Sequence, residues 1–83
     1  METDMAKIQT RRAIRDRIFE LQDQGVKTSK GEKINLSSIG RTLNPPVTRG
    51  AVFRVAAGIG STQRIREAIE RELGQPFWIK RNK

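Results

Sequence analysis

Asn44-Pro45-Pro46 divides two short apolar patterns and forbids any one helix from crossing the middle of this 83-residue chain. Proline has no amide to donate, and its ring drives the preceding residue out of the helical region, so a helix arriving from Leu36 must end by Asn44. Before the break, Leu36, Ile39 and Leu43 recur at intervals of three and four, the spacing of one buried helix face. Asn35 is the expected cap of that helix, because its side-chain oxygen can accept from a free first-turn amide. After the break, Thr48 is an equally good cap for a second short helix. Val47, Ala51, Val52 and Val55 supply the inner side of that helix, and Gly58 and Gly60 end it.

The flanking segments follow the same logic. From Thr10 to Gln24, Ile14, Ile18 and Leu21 form one apolar stripe, which Phe19 should widen, and Gly25 is a natural left-handed stop. Met5 and Ile8 lie upstream, but Arg11 and Arg12 interrupt the stripe between them and Ile14. These early apolar residues are therefore expected either to fray or to meet a second subunit. Residues 26–35 are polar and lack helical period; they read as a connector with a short hairpin or extended excursion about Lys30-Gly31. Its three lysines could touch a phosphate backbone or simply be solvated.

Ser61 is the expected cap of the last helix, whose inner face is Ile65, Ala68, Ile69 and Leu73. Glu67 and Arg71 are spaced to pair on its outer face. Gly74 stops it, Pro76 prevents resumption, and an aromatic then basic tail follows. The expectation is an all-α fold: a compact bundle of four to five helices around a central helix-turn-helix. One domain should span 1–83, with an extension over 1–9 and a tail over 75–83.

Composition narrows the chemistry. The chain has neither cysteine nor histidine, which removes disulfides, the common zinc sites, Ser-His and Cys-His nucleophile pairs and the near-neutral proton shuttle. The expectation is no enzyme, no metal and no cofactor. Seventeen Lys and Arg against nine Asp and Glu give a net charge of +8, a field that attracts polyanions. No apolar run is long enough to span a bilayer, and the acidic first residues are unlike a secretion signal, so the expected location is the cytoplasm, associated with the nucleoid.

A helix that reads the major groove shows its first turns to base edges while its back is anchored in a core. Val52 and Val55 would be that back, leaving Thr48, Arg49, Gly50, Phe53 and Arg54 outside. Arg49 and Arg54 can each donate a fork to guanine or grip phosphate, Gly50 allows close approach, and Phe53 suits a thymine methyl.

The segments Ile39-Gly-Arg-Thr-Leu43, Val47-Thr-Arg-Gly-Ala-Val52 and Ser61 through Leu73-Gly74 together resemble the lambda-repressor-like helix-turn-helix family. In pattern they are most similar to the Ner-type and Cro-type regulators of phages and prophages. The likeness runs from Leu36 to Gly74. It departs from the family where Asn44-Pro45-Pro46 lengthens the corner, and where Phe53 replaces a residue that is often small and polar. The resemblance implies a sequence-specific transcriptional regulator that occupies a double-stranded DNA operator. Thr48, Arg49, Gly50, Phe53 and Arg54 would face bases. Ser37, Ser38 and Arg41 would lie near the backbone, and Ser61, Gln63 and Arg64 would hold a flanking phosphate. Such relatives commonly bind as dimers; Met5, Ile8, Phe77, Trp78 and Ile79 are the candidate contacts, although the three tail residues could instead cover the core. The competing expectations are a protein-interaction module and a nonspecific nucleic-acid binder.

Overall fold

The first helix, α1 (Thr3–Asp23), buries Ile14, Ile18 and Leu21 on one side, as their spacing requires. The computed structural model describes residues 3–78, with side chains from Gln9 onward. α1 starts at Thr3 rather than Thr10, so the expected 1–9 extension is largely helix. Met, Ala, Lys and Gln in that stretch are good helix formers, and the backbone needs no core cover to continue. Phe19 is the other departure: it is 59% exposed, because no later element packs over its flank of α1. The helix ends as anticipated at Gly25, which takes φ 74°. The Val26 and Gly25 amides donate back to Leu21 O and Gln22 O at 3.0 and 3.1 Å, satisfying carbonyls that the helix leaves free.

The connector folds into a tight hairpin. Lys27 and Lys33 form an isolated antiparallel bridge, and Thr28 N donates to Glu32 O at 2.7 Å. Gly31, at φ 79°, turns the chain. The hairpin is fixed to the body of the molecule in three places. Ile34 is fully buried in the core, Gln22 Nε2 donates to the Ile34 carbonyl at 2.6 Å, and Ser29 donates its amide and hydroxyl to the Glu72 carboxylate, both at 2.8 Å.

Asn35 caps α2 (Leu36–Arg41), accepting from Ser38 N at 2.8 Å while Ser38 Oγ accepts from Asn35 N at 2.9 Å. This reciprocal box satisfies two amides that a helix start leaves orphaned. After the corner, Thr48 caps α3 (Arg49–Ala56), its hydroxyl accepting from Ala51 N at 3.2 Å. Gly40 sets the approach of the two helices. A Cβ there would collide with the Val47 carbonyl oxygen, and Val47 N donates to Gly40 O at 3.1 Å. The chain after the corner thus lies directly on α2.

α3 ends at Gly58 (φ 82°), with Ile59 N donating to Arg54 O at 2.8 Å. The last helix, α4 (Gln63–Leu73), buries Ile65, Ala68, Ile69 and Leu73. Its N-cap is Thr62, not Ser61, and no side-chain bond closes that end. The two hydroxyl residues are adjacent, and the chain geometry chooses between them. Gly74 stops the helix at φ 71°, and Arg17 Nε donates to the Leu73 carbonyl at 2.9 Å, placing a cation where the helix dipole favours one. The expected Glu67–Arg71 pair gives way to other partners: Gln63 donates to Glu67, while Arg71 donates to Glu72 and Thr42. Glu70 receives the Phe77 and Trp78 amides at 2.8 and 3.0 Å, which holds both aromatics half-buried against the core.

The result is a compact all-α globule with four helices and no strands among the described residues. No described helix is long and apolar enough to cross a membrane. The core draws on every helix and the hairpin, and each fully buried Ile or Leu stabilises the fold by about 1.5–3 kcal/mol.

Candidate nucleic-acid interface

A helix turns by about 100° per residue, so a short one can be anchored behind and open in front. On α3, Val52, Val55 and Ala56 are the anchor, at 0, 2 and 4% exposure. Thr48, Arg49, Gly50, Phe53 and Arg54 are all exposed, and Phe53 retains 41% of its surface. The structure therefore brings the five proposed base-facing residues to one open surface. Gly50 has no neighbouring side chain crowding it, its nearest outside atom being Thr48 Oγ1 at 3.9 Å from a built Cβ.

The two arginines stand on opposite flanks of that surface. Arg49 and Phe53 line a cleft of about 440 Å³ between α1, the start of α2 and α3, together with Arg11, Arg12, Arg15 and Phe19. Ile14, Ile18, Leu36 and Ala56 contribute to its lining. Arg54 lines a separate hollow with Thr48, Gly50, Gly60 and Thr62, toward the start of α4. Among the described residues, neither Arg49 nor Arg54 is engaged by a carboxylate.

The residues expected near a DNA backbone are in less uniform surroundings. Ser37 is half-buried at the start of α2. Ser38 is fully buried, and its hydroxyl donates to Lys33 O at 2.6 Å, so it serves the α2 cap and has no face to offer a phosphate. Arg41 is exposed but pairs with Glu32, Nε to Oε1 at 2.9 Å. Ser61 is exposed, as is Gln63, which reaches Glu67 at 3.2 Å. Arg64 Nη2 donates to the Pro45 carbonyl at 2.8 Å and so braces the lengthened corner, whose Asn44–Pro45 peptide is cis.

Of the dimer candidates, Phe77 and Trp78 pack on the core in an edge-on pair, with Arg66 stacked 5.1 Å from the Trp78 ring centroid. The Met5 and Ile8 side chains and the whole of Ile79 lie outside the described residues.

Glu72 has a shifted acidity. Burial alone would raise its carboxyl, but hydrogen bonds from the Ser29 amide, the Ser29 hydroxyl and Arg71, with the charge of Arg71, hold it below the usual carboxylate range. It is a structural tie between hairpin and α4, away from α3. Among the described residues no group of three or more carboxylates could hold a metal ion. No family model, curated protein or solved structure matches this chain.

What the linear pattern did not show is the convergence of Arg11, Arg12 and Arg15 with Arg49. On the sequence the first two read only as a break in an apolar stripe. Their common cleft arises when α1 and α3 pack, a long-range event with no local signature.

Proposed function

We propose that the chain is a sequence-specific DNA-binding regulator of the phage or prophage repressor type, reading the major groove with α3 from Thr48 onward. The observation that carries this reading is the division of α3 into a buried back, Val52, Val55 and Ala56, and an open front with an arginine on each flank. A recognition helix needs both properties: anchorage to hold its angle, and free donors to meet base edges.

The α2–corner–α3 arrangement fits a helix-turn-helix, with Gly40 supplying the small residue where the second segment crosses the first. That fit supports the lambda-repressor-like resemblance. In this reading the net charge of +8 provides sequence-independent attraction and α3 provides selection. The protein works in the cytoplasm by occupying an operator and excluding polymerase, without a cofactor. A homodimer on an inverted repeat would add affinity.

Selection from a random duplex library tests the reading. The expected result is an enriched motif, with an inverted repeat if a dimer binds. Binding without enrichment would assign a nonspecific nucleic-acid role. No binding at low salt would overturn the DNA reading and leave a protein partner.

A further inference from the structure

We infer that Arg11, Arg12 and Arg15 of α1 grip the sugar–phosphate backbone along one wall of the groove that α3 enters. The inference rests on the DNA reading of α3 and adds to it a second element, which none of the α2, α3 or α4 contacts above includes.

Position comes first. The three arginines line the same cleft as Arg49 and Phe53, so four guanidiniums border one opening beside the exposed front of α3. A helix with its side chains is about 10–12 Å across and the major groove is about 12 Å wide, so a helix in the groove meets both phosphate walls. Arg54 faces one flank of α3; the α1 arginines and Arg49 stand on the other.

Charge comes second. Among the described residues no carboxylate pairs with Arg11 or Arg12, and the Arg15–Asp16 contact is long, 3.8 Å, and well exposed. The carboxylates Asp16, Glu20 and Asp23 lie around another hollow on the other flank of Phe19, with Arg17 and Gln75. The exposed flanks of α1 thus differ: Arg11, Arg12 and Arg15 lie toward α3, while Asp16, Glu20 and Asp23 lie away from it with Arg17, which pairs with Glu20 at 2.8 Å. Arginines that merely solubilised the helix would gain by mixing with these acids, since neighbouring like charges weaken a helix. Their segregation beside α3 matches a polyanion lying along that side. Guanidinium also suits phosphate, which it can meet with two parallel N–H donors.

Fluorescence anisotropy of the full chain, with the enriched duplex and an unrelated one over a salt series, tests this. Replacing Arg11, Arg12 and Arg15 together by Ala should weaken both duplexes by the same factor, roughly tenfold or more. It should also reduce the slope of log affinity against log salt by about two to three. The ratio between the duplexes should not change. Lysine at all three positions should restore most of the slope, and Phe19→Ser should leave it unaltered, with thermal melting confirming that each variant is folded. An unchanged slope in the triple Ala variant, while wild type still prefers its motif, overturns the α1 contact and leaves the α3 reading standing. Binding by wild type without an enriched motif removes base reading, and the slope still decides the α1 contact.

Discussion

Arg49 and Arg54 differ from five other arginines of the described residues in what surrounds them. Arg17, Arg41, Arg64, Arg66 and Arg71 are each committed to an internal carbonyl, carboxylate, hydroxyl or aromatic ring. Arg49 and Arg54 have no such partner and flank the open front of α3. Replacing either by Ala should cost about 1–3 kcal/mol of binding to a selected site and relax the preference at one base position. Quantitative binding to single-base variants of the site measures both effects, and unchanged affinity would remove α3 as the reader. Gly40 tests a different property. Because a Cβ there collides with backbone rather than with a flexible side-chain end, Gly40→Ala should destabilise the fold by about 1–3 kcal/mol. Urea unfolding checks this; a stability equal to wild type would mean that the corner can give way.

At the level of elements, five helix ends were the most legible features and their outer surroundings the least, while α1 began before Thr10 and α4 took Thr62 rather than Ser61 as its cap. Asn35, Thr48, Gly25, Gly58 and Gly74 act through bonds to residues within one turn, so a local pattern suffices to find them. The four apolar faces were legible for the same reason. Ile34 was not: it is one apolar residue in a polar run, and only the packing of the hairpin against α1 and α2 makes it core. Phe19 failed in the opposite sense, since position on a helix says nothing of whether a later element will cover it. The convergence of α1 with α3 is likewise tertiary.

The hairpin gains its fixed place partly from Glu72, whose side chain is only 4% exposed. Its folded pKa is lowered, so the stabilisation is complete above the ordinary carboxylate range and is lost as pH falls through that range toward the lower folded value. Glu72→Gln should therefore cost about 1–3 kcal/mol near neutrality and flatten the acid limb of stability against pH. Denaturant midpoints across an acid pH series measure this. An acid limb identical to wild type would show that the Ser29 tie contributes nothing.

Over the whole molecule, charge is distributed by use rather than evenly. The excess of eight positive charges attracts any polyanion, but among the described residues the free guanidiniums gather about α3 and the near side of α1, while Asp16, Glu20 and Asp23 occupy the far side of α1. The sequence gives the total; only folding produces the asymmetry. The face bearing Arg66 and Trp78 is of another kind, since its cation is stacked on an aromatic ring.

That tail arrangement makes the protein its own optical probe. Trp78 is the sole tryptophan of the chain, and it is held half-buried by the Glu70 carboxylate and covered by Arg66. Its emission must therefore report release of the tail separately from melting of the helices. Glu70→Gln should shift that emission to longer wavelength while far-ultraviolet dichroism keeps its helical amplitude. A coincident loss of both signals would show that tail and bundle open as one cooperative unit.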